Sequence, residues 1–147
     1  MIKVDDEYEK DCLILHKDSP VINVHIPSCG KLDYTEVQKS YEKAAEFYRT
    51  EFMEHPLVFV CESWLLFPAN KEILPEQSNI RRFLSDYDVY RTRENNNDLW
   101  RIYYGAEQND FENLPENTGL ERAYKKWLLS GHMAGQSWGV YRYEKEM

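Results

Sequence analysis

The 147-residue chain has little cysteine, no apolar run as long as a bilayer is thick, and no excess of positive charge. Its three cysteines, Cys12, Cys29 and Cys61, are odd in number and form no C-x-x-C pair, which argues against a disulfide framework and a zinc site. The four histidines, His16, His25, His55 and His132, share no metal-ligand spacing, so no metal is expected. No stretch nears the roughly 20 apolar residues of a membrane-spanning helix. The amino-terminal MIKVDDEYEKD lacks the apolar core of a secretion signal. The expected location is therefore the cytoplasm, with no membrane partner. Eighteen Lys and Arg against 26 Asp and Glu leave a formal charge of −8. Such a field repels nucleic acid and anionic lipid, so an anionic ligand would need a local cluster of basic groups or backbone N–H donors. Repeats and low-complexity tracts are absent. Glu94–Asp98 and Glu107–Asn117 are the most loop-like stretches, and both are too short for a linker, so one domain over residues 1–147 is expected.

What is present is a core. Apolar residues make up 42% of the chain and aromatics 14%, enough to pack one domain. Cys12–His16 is a short apolar run with strand character, and Asp18-Ser19-Pro20 turns the chain. In Val21–Ile26, residues Ile22, Val24 and Ile26 alternate with Asn23 and His25, the period of a half-buried strand. After Pro27–Gly30, Asp33 and Glu36 form a capping-box pattern, and Val37, Tyr41, Ala44, Ala45, Tyr48 and Phe52 recur at helical spacing up to His55-Pro56. Leu57–Leu66 is apolar on both faces apart from Glu62 and Ser63, which predicts a central strand covered on both sides. A helix starts at Ser78 or Asn79, with Ile80, Phe83, Leu84 and Tyr87 inward. Val89–Arg93 and Leu99–Tyr104 read as an antiparallel pair of strands. Thr118–Glu121 is a second capping box, opening a helix with Leu120, Ala123, Tyr124, Trp127 and Leu128 inward and Gly131 as its C′ residue. Trp138–Tyr143 closes the chain as a strand. The predicted class is α/β, with a mixed α+β sheet, in the order β-β-α-β-α-β-β-α-β.

Four strings in this order carry a resemblance: HIPSCGKL at His25–Leu32, CESWLLFP at Cys61–Pro68, LPEQSNIRRF at Leu74–Phe83 and LPENTGLERA at Leu114–Ala123. Together they resemble the GNAT-like C-terminal domain of a bacterial family of predicted N-acyltransferases, over about Val21 to Gly139. The loop departs from the family pattern in having one glycine, Gly30, rather than two, and Glu121 stands where glutamine is expected. The resemblance implies a GNAT-like fold, coenzyme A or an acyl-CoA as cosubstrate, and a small-molecule amine as acceptor. It also implies a preceding N-terminal segment as a partner domain. The predicted element order matches the second half of an acetyltransferase sheet.

Acyl transfer from coenzyme A to an amine needs a strand edge for the pantetheine arm, N–H donors for the pyrophosphate, a base for the amine and an acid for the thiolate. By fold analogy, Ser28, Cys29, Gly30 and Lys31 stand where an acetyltransferase holds pyrophosphate. A plain strand-to-helix turn accounts for them equally. Asn79, Arg81 and Arg82 at a helix start are candidates for holding an anion, against the bland reading of a cap and two solvated arginines. Glu62, mid-strand among apolar residues, is the candidate base if it is buried. Tyr87 is the candidate acid, although core packing accounts for most of 11 tyrosines. A structural histidine is the simpler account of His25, and Cys29 becomes a nucleophile only beside a base. The alternative to an enzyme is a non-catalytic GNAT-like module that binds a ligand or docks on a partner domain, with Trp100, Trp127 and Trp138 as its exposed surface.

Overall fold

The computed structural model describes residues 8–10, 13–15, 19–27, 31–104 and 109–144, with backbone alone at 8–10, 13 and 14. In chain order the elements are β1 (Tyr8–Lys10), β2 (Leu13–Leu15), β3 (Ile22–Asn23), α1 (Tyr34–Phe47), β4 (Val58–Ser63), α2 (Asn70–Ile73), α3 (Asn79–Ser85), β5 (Asp88–Glu94), α4 (Trp100–Tyr103), α5 (Gly119–Leu129) and β6 (Gly135–Arg142). Short 3-10 turns lie at Trp64–Leu66 and Phe111–Asn113. β1 and β2 pair antiparallel with each other. The other four strands form one mixed sheet in the order β3-β4-β6-β5, parallel between β3 and β4 and antiparallel elsewhere.

Two apolar faces on one segment need two covers, and β4 finds both. Phe59 and Cys61 face Tyr41 of α1 and Phe83 and Leu84 of α3, with Tyr87 beside them. Val58 and Val60 face the other way, into a cluster with Leu15 and Val140. The expected alternation in β3 also holds: Ile22, Val24 and Ile26 pack into the helical-face cluster, while Asn23 and His25 are exposed. A third cluster stands apart from the sheet, where α4 and α5 pack Leu99, Ile102 and Tyr103 against Leu114, Tyr124 and Leu128.

The helices begin where the side chains can cap them. The Asp33 carboxylate accepts from Thr35 N–H and Glu36 N–H. The Ser78 hydroxyl accepts from Ile80 N–H, and Thr118 and Glu121 exchange both bonds of a capping box. Gly131 has φ +90°, the left-handed conformation that stops α5.

Three expectations are corrected. Leu99–Tyr104 is not a strand: it forms α4, and the antiparallel partner of β5 is β6. Leu99, Ile102 and Tyr103 lie at i, i+3 and i+4, a helical stripe that only the packing against α5 reveals. β4 stops at Ser63, whose hydroxyl accepts from Leu65 N–H and turns the chain into a 3-10 turn. α1 ends at Phe47, not near His55: Tyr48, the next residue of the stripe, is 37% exposed and closes the helix, its N–H donating to Ala44 C=O. The short helix α2 follows β4 without any clear sequence signal. The strand predicted at Cys12–His16 is seen as Leu13–Leu15, and Cys12 and His16 lie outside the described residues.

Candidate functional site

The parallel pair β3–β4 begins as a ladder and then stops. Ile22 is in register with Phe59 and Asn23 with Val60, and Val24 N–H adds one more bond to Val60 C=O at 2.9 Å. A continued parallel ladder would next join Glu62 N–H to Val24 C=O, and then Ile26 N–H to Glu62 C=O. Among the described residues neither bond forms. β4 nevertheless runs on through Ser63, held only from its other side by β6, with Glu62 opposite Trp138 and Ser63 opposite Ser137. Backbone groups alternate along a strand, so the Glu62 N–H and C=O point the same way as those of Val60, toward β3. The strands therefore part at Val24 and Cys61 and leave one open edge on β4.

The two faces of this opening differ. On the helical face stands the Cys61 thiol, whose pKa burial pushes up to about 12, with Val24, Ile26 and Leu32 packed into the same cluster. On the opposite face Glu62 lies in a cross-strand row with Trp138 and Arg91. Trp138 is buried, and the guanidinium carbon of Arg91 sits 4.8 Å from its ring centre, a cation–π arrangement. The expected burial of Glu62 is not found. Its side chain is exposed, because β4 outlasts the cover that hides Val58 and Val60.

The remaining candidates fall into three places. Lys31 is exposed at the entrance to α1, and Ser28, Cys29 and Gly30 lie outside the described residues. Asn79 comes close to this entrance: its Nδ2 donates to Leu32 C=O at 2.9 Å and fastens the start of α3 to the segment before α1. Arg81 turns back, and its Nη1 donates to Leu74 C=O at 3.2 Å, while Arg82 is exposed. Tyr87 lies in the helical-face core, where its hydroxyl accepts from the Tyr41 hydroxyl at 3.0 Å and burial drives its pKa far above the ordinary tyrosine value. His25 is exposed on the polar side of β3. The structure thus brings Lys31, Leu32 and Asn79 together and puts Glu62 beside the open edge. It sets Arg81 and Tyr87 into contacts of their own. The Leu32 carbonyl was not foreseen, and no sequence signal marks a backbone acceptor.

Nor do the three tryptophans make a shared exposed surface. Trp138 is buried in the sheet, and Trp127 donates its indole N–H to Met133 C=O at 2.8 Å and stacks on His132. Trp100 is 44% exposed, with the Arg101 guanidinium over its ring.

A sheet of order β3-β4-β6-β5 whose parallel pair parts after a few residues, with a helix crossing between the two strands, defines the carboxyl-terminal half of an acetyltransferase-like fold. The chain belongs to the family of the GNAT-like C-terminal domain, whose model matches residues 1–141. Among solved structures it is similar to an acyltransferase in complex with decanoyl-CoA, at 27% identity and a TM-score of 0.73, over 90% of this chain and 43% of that one. An acyltransferase in complex with CoA and 10C-teicoplanin shares the fold, at 23% identity and a TM-score of 0.73, over 90% of this chain and 44% of that one. The chain thus spans less than half the length of either. No curated protein matches it. Among the described residues no helix is long and apolar enough to cross a membrane, and no group of three metal-ligating side chains gathers.

Proposed function

We propose that this domain holds an acyl-CoA and transfers its acyl group to an amine. The parting of β3 from β4 after Val24 carries this reading. An open strand edge offers an N–H and a C=O, those of Glu62, to the amides of an extended pantetheine arm, as an added strand would use them. In this reading the segment before α1, which Asn79 fastens at the Leu32 carbonyl, receives the pyrophosphate at its Lys31 end. Lys31 supplies charge, while the Arg81 guanidinium is already engaged with Leu74 C=O and Arg82 is the more available of the two arginines.

In this reading the exposed Glu62 carboxylate takes the proton from the attacking amine. Its exposure admits a solvated, cationic acceptor, which a buried carboxylate would not. Tyr87 is the acid for the departing thiolate. Its hydroxyl is held by Tyr41, and burial makes it a weaker acid than a free tyrosine. The solved neighbour complexed with decanoyl-CoA supports an acyl-CoA as the cosubstrate.

The test is a thermal titration with decanoyl-CoA and with coenzyme A. Ligand at 100 times its dissociation constant, bound only to the folded state, adds about 2.7 kcal/mol of stability. Lys31→Ala and Arg82→Ala are expected to reduce the shift. No shift at millimolar ligand removes the reading. A second reading, a non-catalytic GNAT-like module that binds the ligand or docks on a partner domain, draws support from the burial of Tyr87, whose hydroxyl is already engaged by Tyr41. A thermal shift without turnover of any amine, and with no effect of Glu62→Gln, would select it.

A further inference from the structure

On the helical face, away from the open edge of β4, the chain builds a second concavity. It lies where α1, the residue closing α3 and the last residues of the sheet meet, and it forms a half-open cleft of about 210 Å³. Its location is set by Tyr141, in register with Phe59 at the beginning of β4, and by Tyr143, whose N–H donates to Leu57 C=O at 2.9 Å. The slot opens at the other end of the same strand. Tyr34 and Tyr41 contribute from α1. The rings meet at steep angles: Tyr41 and Tyr141 lie 5.2 Å apart at 69°, and Tyr141 and Tyr143 lie 5.9 Å apart at 75°. The four rings thus line the space in differing orientations.

The charge in this space has one sign. Asp86 is half-buried in the wall and Glu42 stands at the rim, while among the described residues no lysine, arginine or histidine lines the cleft. The Tyr34 hydroxyl approaches both Asp86 oxygens, at 2.8 and 2.9 Å, which uses one donor on a carboxylate that can accept about four. Burial raises the Asp86 pKa, so the carboxylate is short of solvation rather than supplied with it. Tyrosine rings around a carboxylate, with no cation among the described lining residues, are the setting that attracts an organic cation, through the ring quadrupoles and the charge together. The space falls below the roughly 300–1,000 Å³ of pockets for drug-sized ligands, so only a small head group fits.

We propose that this tyrosine-walled cleft between α1, Asp86 and the end of β6 binds a small alkylammonium cation. The site is independent of the acyl-CoA slot and does not need that reading to hold.

The experiment compares choline with its uncharged carbon isostere, 3,3-dimethylbutan-1-ol, at fixed ionic strength, following tyrosine ring signals by NMR. Choline is expected to saturate and to bind about tenfold or more tightly than the isostere, the factor expected when a cation–π contact and a charge are both lost. Asp86→Asn and Tyr141→Leu should each weaken choline about fivefold to tenfold. Tyr34→Phe separates recognition from folding. It removes the competing donor, so binding should hold or tighten while Asp86→Asn weakens it, with circular dichroism confirming that each variant is folded. Equal binding of choline and the isostere, an unchanged constant in Asp86→Asn, or a loss in Tyr34→Phe matching that in Asp86→Asn would each overturn the proposal. So would the absence of saturable choline binding.

Discussion

Gly139 has no side chain because its neighbours occupy the place of one. A Cβ built there would lie 2.9 Å from the Leu66 Cδ1 and 3.1 Å from the Tyr87 Cβ. Gly135 is tighter still, with the Phe67 ring at 2.6 Å and the Arg93 carbonyl oxygen at 2.8 Å, and backbone cannot step aside as a leucine methyl can. Gly139→Ala should therefore cost about 1–3 kcal/mol as an overpacking change, and Gly135→Ala should cost more. Urea unfolding checks this as a lower midpoint at unchanged slope. Asn70 makes the opposite kind of point. Fully buried, it donates to Trp64 C=O and Leu65 C=O and accepts from the Tyr124 hydroxyl, which ties α5 to the turn that ends β4. Asn70→Ala strands groups on both sides, whereas Tyr124→Phe strands only the amide oxygen. At about 1–3 kcal/mol per unsatisfied group, the first should be the more damaging in the same unfolding experiment.

At the scale of elements, the helix starts were legible and the strand ends were not. Asp33, Ser78 and Thr118 cap within a few residues of themselves, so the sequence contains all that decides them. Leu99–Tyr104 fits either period over so short a span, and what selects the helix is distant packing against Leu114, Tyr124 and Leu128. The burial expected of Glu62 failed for a related reason. An apolar run predicts cover, but where the cover stops is a property of the other elements. The opening beside β4 has the same character: Val21–Ile26 and Leu57–Leu66 each contain the strand that the sequence suggests, while the rung at which the two part belongs to neither segment alone. The local determinants are open to a direct check. Thr118→Ala removes one bond of the α5 box and should cost about 0.5–2 kcal/mol. For a chain of this size that lowers the melting temperature by about 2–4 °C per kcal/mol. Glu121 is buried, so its substitution should cost at least as much.

Over the whole molecule, the ionisable hydroxyls and the thiol of the core act in one direction. Tyr41, Tyr87, Tyr103, Tyr124 and Tyr141 all have raised pKa values, with burial the leading cause in each. Tyr34 is raised to about 12, by burial first and then by its bond to Asp86, and Cys61 likewise reaches about 12 by burial. An acid whose pKa is higher in the folded chain binds its proton more tightly there. The stability it contributes is complete below its unfolded value, about 8.5 for cysteine and 10 for tyrosine, and is lost as pH rises through the folded value. The fold should hold through neutral and mildly alkaline solution and then give way steeply between about pH 10 and 12, as these groups lose protons that the native core had kept. Absorbance of tyrosinate at about 295 nm and far-ultraviolet circular dichroism, followed together against pH, decide the matter. The expected outcome is that most of the tyrosinate signal appears in the same step as the loss of secondary structure, while Tyr87→Phe shifts that step upward by removing one group that must ionise. Full tyrosine titration near pH 10 with the dichroism intact would mean that the rings packed around Phe59 and Gly139 are open to solvent, and the two-sided core built on β4 would have to be abandoned.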